Sequence, residues 1–211
     1  MGAIMTSAGR DYGLDDNHVW ARPPAGGWTA DDLDRLPNLP PHTELIDGSL
    51  VLVSPQTLFH ALAMRLLENE LLGQAPDHLT VLREMTVRLD SRNRPEPDVL
   101  VVRTDAVTGP SQTWFDPADV LLAVEVVSED SVDRDREVKP RKYAGAGIPH
   151  YWRVEQKDGL PVVYVYELDP ATGTYAVNGI HHDQLKLSVP FPIGIDLRAS
   201  GRRDRPGSQG V

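Results

Sequence analysis

Cysteine is absent from all 211 residues. That excludes a disulfide scaffold, a thiolate zinc site and a cysteine nucleophile. No apolar run approaches the roughly 20 residues a membrane-spanning helix needs, so no membrane partner is expected. The first ten residues lack a basic-then-apolar layout, which argues against a secretory signal and gives a cytoplasmic reading. Cations are in deficit, with 21 Lys+Arg against 31 Asp+Glu and a net charge of −10. That balance argues against indiscriminate polyanion binding, although a local basic patch remains compatible with nucleic acid.

What remains is the composition of one soluble domain, 40% apolar and 25% charged, long enough for a single buried core. Residues 1–27 are rich in Gly, Pro and Asp and read as a flexible lead-in. Residues 28–198 should fold, and 199–211, apolar-poor and arginine-rich, read as a disordered tail. Thr29 three residues before Asp32 marks a helix start, and Asp47-Gly48 between apolar triplets marks a hairpin. A helical period runs from Gln56 to Leu72, with Leu58, Leu62 and Leu66 on one row and Phe59, Ala63, Leu67 and Leu71 on the next. The stretch from Val81 to Leu89 alternates as one strand. Val99–Val102 and Val120–Val127 are apolar on both faces, which belongs mid-sheet under cover on both sides. The order predicts an α/β fold on a mixed central sheet.

Two carboxylates break this apolar pattern. Glu125 lies inside the Val120–Val127 run, where an unpaired carboxylate costs several kcal/mol or stays protonated. Asp98 follows Pro97 at the mouth of the other core strand. The 27 residues between them allow a return to an adjacent strand, and two strand-borne carboxylates suit Mg²⁺ or Mn²⁺. The charged run Asp133–Tyr143 comes next. Pro140 is tolerated only in the first turn of a helix, so a helix is expected from Lys139 to Gly147. Most charges of the run read as a solvated face. Lys139 is the exception, because its long stem can carry an ammonium back to the strand ends, and Arg134, Arg136, Arg141 and Lys142 are candidates for phosphate contacts.

The series Glu44-Leu45-Ile46-Asp47-Gly48, Pro97-Asp98-Val99, Val124-Glu125-Val126-Val127-Ser128, Asp133–Lys139 and Tyr143–Trp152 resembles the Uma-two family. This is a bacterial group of restriction-endonuclease-like proteins in the PD-(D/E)XK nuclease superfamily. The resemblance spans about Trp28 to Tyr166 and implies a restriction-endonuclease-like core, a mixed sheet flanked by helices. It further implies that Asp98, Glu125, Lys139 and Glu44 are catalytic, and that Asp98, Glu125 and the Val126 carbonyl hold Mg²⁺ or Mn²⁺. Many relatives carry the lysine two positions after the second acid; here Val127 stands there and Lys139 takes its place.

The implied function is Mg²⁺-dependent endonucleolytic hydrolysis of phosphodiester bonds in nucleic acid, DNA first, with a homodimer as a plausible assembly for two-strand cleavage. Two alternatives stay open. A non-catalytic nucleic-acid or protein-binding module on this scaffold would suit the −10 charge. A hydrolase of small phosphate-containing substrates would lose activity with chelator but ignore salt. His60 reads as a helix-surface residue touching the core edge, although the resemblance also places a His there, near the metal. His181 and His182 face opposite ways on a strand, which argues against joint metal binding. Tyr151 and Trp152 read as core aromatics. Tyr164 and Tyr166 share a face, read as an ordinary half-buried strand rather than a base-stacking platform.

Overall fold

The computed structural model describes residues 22–201. Most of the expected lead-in 1–27 and tail 199–211 lies outside them. Within them, Pro24–Gly27 forms a turn closed by the Gly27 N–H on the Pro24 carbonyl, and a 3₁₀ turn at Leu197–Gly201 ends the described chain with Leu197 and Ser200 buried.

The central sheet has six strands: β3 (Leu79–Arg83), β5 (Val99–Arg103), β7 (Val120–Val126), β8 (His150–Lys157), β9 (Leu160–Asp169) and β10 (Thr174–His181). Their order is β10-β9-β8-β7-β5-β3, and every pairing is antiparallel except β7 with β8. The two apolar runs, β5 and β7, sit side by side in the interior, where both faces are covered. The sheet is therefore mixed, as expected.

One face packs under helix α1 (Leu58–Gln74) and the small ladder β11 (Gln184–Leu187) with β12 (Ile193–Asp196). The buried stripe of α1 is His60, Ala63, Met64, Leu67 and Leu71, so the Leu58–Leu66 row is not the core-facing one and Leu58 is largely exposed. On the other face Leu100, Ala123 and Tyr151 of the sheet pack against Tyr143 of helix α2 (Lys139–Gly145) and Ile148 of the loop that follows it.

The long alternating run does not form one strand. At Glu84 the backbone turns to φ +53°, so β3 ends at Arg83 and Thr86–Val87 (β4) pairs instead with Trp114–Phe115 (β6). In the hairpin of β1 (Glu44–Ile46) and β2 (Ser49–Val51), Asp47 and Gly48 both take positive φ, as a two-residue turn between twisted strands requires.

The parallel step from β7 to β8 demands a crossover, and that crossover contains α2. A π-helical turn, Arg134–Val138, leads into it. Pro140 has no N–H to give the Arg136 carbonyl, and the bond before it runs from the Lys139 N–H to the Arg134 carbonyl, five residues back. The widened turn brings Asp135 and Lys139 inward together, both buried.

Candidate active site

Asp98 immediately precedes β5, and the register pairing Val99 with Val124 brings it level with Glu125 on β7. The Val126 N–H donates to Asp98 Oδ2 at 2.6 Å. On its other side Asp98 Oδ1 lies 3.0 Å from His60 Nε2. His60 is 3% exposed, so the expectation of a helix-surface histidine is overturned: it projects from the buried stripe of α1 towards the strand ends. Burial disfavours its charged form, but the neighbouring Asp98 more than compensates and its pKa is raised.

Glu125 faces α2, where both of its oxygens find donors. The Lys139 ammonium reaches Oε2 at 2.9 Å and the Tyr143 hydroxyl donates to Oε1 at 2.6 Å. Lys139 Nζ also stands 2.8 Å from Glu44 Oε1, which accepts in addition from the Glu96 N–H at 2.8 Å. A third carboxylate, Asp135, has Oδ1 at 3.5 Å from Lys139, too long for a hydrogen bond, and that buried oxygen has no hydrogen-bond partner among the described residues. The four residues expected from the sequence, Glu44, Asp98, Glu125 and Lys139, thus come together in one place. Asp135 and Tyr143 were not singled out, and their signal is their i−4 and i+4 spacing around Lys139; His60 stands beside Asp98, where the resemblance placed a histidine.

These groups open on a cavity of about 390 Å³. Seven carboxylates line it, at positions 44, 84, 96, 98, 125, 130 and 135, against two fixed cations, Arg134 and Lys139. Burial, and then the like charges of Asp135, Asp98 and Glu44, push the Glu125 carboxyl well up despite Lys139. Burial also raises Asp135. For Lys139 burial works against the charge, but Glu125, Glu44 and Asp135 overwhelm it and hold the ammonium protonated. Along the rim His42, at φ +60°, sets Nδ1 2.5 Å from Glu96 Oε1, a contact that raises its pKa.

Among the described residues no three His, Asp or Glu side chains already form a metal cage, because the Lys139 ammonium sits between Glu44 and Glu125. The donor chemistry nevertheless fits a hard divalent cation. Asp98, Glu125 and Glu44 offer oxygen only, each carboxylate oxygen has more than one acceptor direction, and carboxylates outnumber fixed cations along the cavity.

Fold and site together define a mixed-sheet α/β protein with an acidic, lysine-bearing cavity at the ends of its central strands. A crystal structure described as that of a putative nuclease belonging to DUF820, from Anabaena variabilis, superposes with a TM-score of 0.59 at 16% identity, over 77% of this chain and 89% of that one. A family model described as "Uma2: Putative restriction endonuclease" matches residues 30–200, and the chain belongs to that family. No curated protein matches it. No helix among the described residues is long and apolar enough to cross a membrane.

Proposed function

We propose that the protein is a Mg²⁺- or Mn²⁺-dependent endonuclease that hydrolyses phosphodiester bonds, with DNA as the substrate. The observation that carries this reading is the convergence of Asp98, Glu125, Glu44 and Lys139, from the mouth of β5 and from β7, β1 and α2, in one acidic cavity.

Asp98, Glu125 and the Val126 carbonyl would hold the cation, with Glu44 directly or through water; when bound, it supplies an activated water and neutralises charge on the phosphate. Lys139 stays protonated at neutral pH, so it acts as a donor and not as a base. Its ammonium orients the attacking water and stabilises charge developing on the phosphoryl oxygens. Tyr143 and Lys139 fix the two oxygens of Glu125, while His60 and the Val126 N–H fix those of Asp98, so both carboxylates meet the substrate already oriented.

The test is Mn²⁺ titration by calorimetry on the parent and on folded Asp98→Asn and Glu125→Gln variants, alongside cleavage of plasmid DNA. Saturable binding and nicking that disappear in both variants are expected. A parent that neither binds Mn²⁺ at millimolar concentration nor cuts would overturn the reading. The binding-module alternative, which the −10 charge favours, would then take its place.

A further inference from the structure

The nine residues Arg134–Lys142 hold five cations against two acids in a chain of net charge −10. Lys139 is absorbed by buried carboxylates and Lys142 by Asp47 at 2.6 Å. The three arginines are placed differently. Arg134 lines the acidic cavity, takes part in no ion pair among the described residues, and keeps a buried Nε without a partner. A guanidinium retained unpaired beside so many carboxylates is placed for an anion that arrives from outside.

Arg136 and Arg141 lie on the far side of the same π-helical turn. There they line a second cavity of about 250 Å³ together with Tyr166 and Tyr175. The two tyrosine rings lie 6.4 Å apart at 54° to each other, each packs 5.6 Å from Tyr151, and the Arg153 guanidinium lies 5.6 Å from the Tyr166 ring, so Tyr166 presents an aromatic edge to the groove from an anchored cluster. Arg136 and Arg153 share the single carboxylate Glu155, which leaves one positive charge over. Among the described residues Arg141 pairs only with Glu137, both far out in solvent, a contact worth little and easily exchanged. Aromatic rings beneath rim guanidinium groups suit a base with its phosphate better than an acidic peptide, which has no use for the rings.

Resting on the nuclease reading, we infer that the π-helical turn divides an extended single-strand site: Arg134 takes a phosphodiester in the acidic cavity, and a further nucleotide of the same strand lies in the groove. Its base packs against Tyr166 beside Tyr175, and its phosphate sits between Arg136 and Arg141. A base held inside a duplex cannot enter, so the substrate class is single-stranded or locally unwound nucleic acid.

The test is fluorescence anisotropy with a labelled oligothymidylate in EDTA, across a salt series, on parent, Arg134→Gln, Arg141→Gln and Tyr166→Leu proteins shown to be folded by circular dichroism. Each arginine variant should bind about tenfold more weakly and flatten the log–log salt slope by about 0.7. Tyr166→Leu, which keeps apolar bulk, should weaken binding about fivefold or more without changing the slope. Unaltered affinity in the three variants, equal affinity for a duplex of the same length, displacement by polyglutamate as effective as by unlabelled oligonucleotide, or no oligonucleotide binding by the parent would each overturn the subsite. Mn²⁺ calorimetry reads the carboxylate centre separately. A parent that binds Mn²⁺ but is indifferent to the groove variants keeps the nuclease reading and loses the groove; the reverse result keeps the groove and loses the nuclease.

Discussion

The Lys139 ammonium lies 2.9 Å from Glu125 Oε2 although 14 residues separate the two, and both side chains are almost wholly buried. Removing one member of such a buried pair strands the other. Lys139→Met should therefore cost about 3–5 kcal/mol in urea denaturation. Adding Glu125→Gln to it should recover part of that loss, because the stranded charge is gone. A double variant as unstable as the sum of the two singles would contradict the pairing.

Tyr143→Phe removes a single hydroxyl and leaves Glu125 Oε1 without its donor. A cost of about 1–3 kcal/mol is expected from the unsatisfied buried carboxylate. The same substitution in a Glu125→Gln background should cost less, which a thermal-unfolding cycle would measure.

Stability should fall as pH rises from about 5 to 8. Glu125, Asp135 and Glu96 have raised pKa values, chiefly through burial, so the folded protein holds protons that the unfolded chain releases above the ordinary carboxylate range near 4.5. His42 and His60, raised by Glu96 and Asp98, act in the same direction: their stabilisation is full below the ordinary imidazole value and is lost as pH climbs through the folded one. His150, lowered by burial, opposes them as a single group. Midpoints of thermal unfolding measured across this range check the slope, and Glu125→Gln should flatten it.

Mn²⁺ should reverse that trend. The cation competes with protons for Glu125, so its stabilising effect should be larger at pH 8 than at pH 5.5. At about a hundredfold excess over its dissociation constant it should add about 2.7 kcal/mol. Scanning calorimetry with and without Mn²⁺ gives the result, and Asp98→Asn should abolish it. An equal shift at both pH values would place the ion elsewhere.

The legible parts of the sequence were those where one residue violates its local pattern. Glu125 stands out because every other position from Val120 to Val126 is apolar, and Asp98 because Pro97 fixes it at a strand mouth. Pro140 dates the start of α2, and Asp47-Gly48 the hairpin that carries Glu44. Such conflicts between a side chain and its run are written in consecutive residues, so no tertiary information is needed to see them. By contrast, Val81–Leu89 alternates faithfully and still breaks at Glu84, where the backbone leaves the ladder and its N–H bonds the Asp98 carbonyl at 3.2 Å.

By itself, then, the sequence determined a mixed α/β sheet with buried β5 and β7, the identity of the two strand-borne carboxylates, and a lysine within reach. Only the tertiary structure decided which of the remaining charges face inward. Asp135 sits in a run whose composition reads as solvated, and the widened turn before Pro140 rotates it beside Lys139. His60 becomes buried because the strand ends present Asp98 to that side of α1. A charged group is stable in the interior only where another element supplies its counter-charge, and that meeting of distant segments is a property of the folded chain rather than of any local stretch of it.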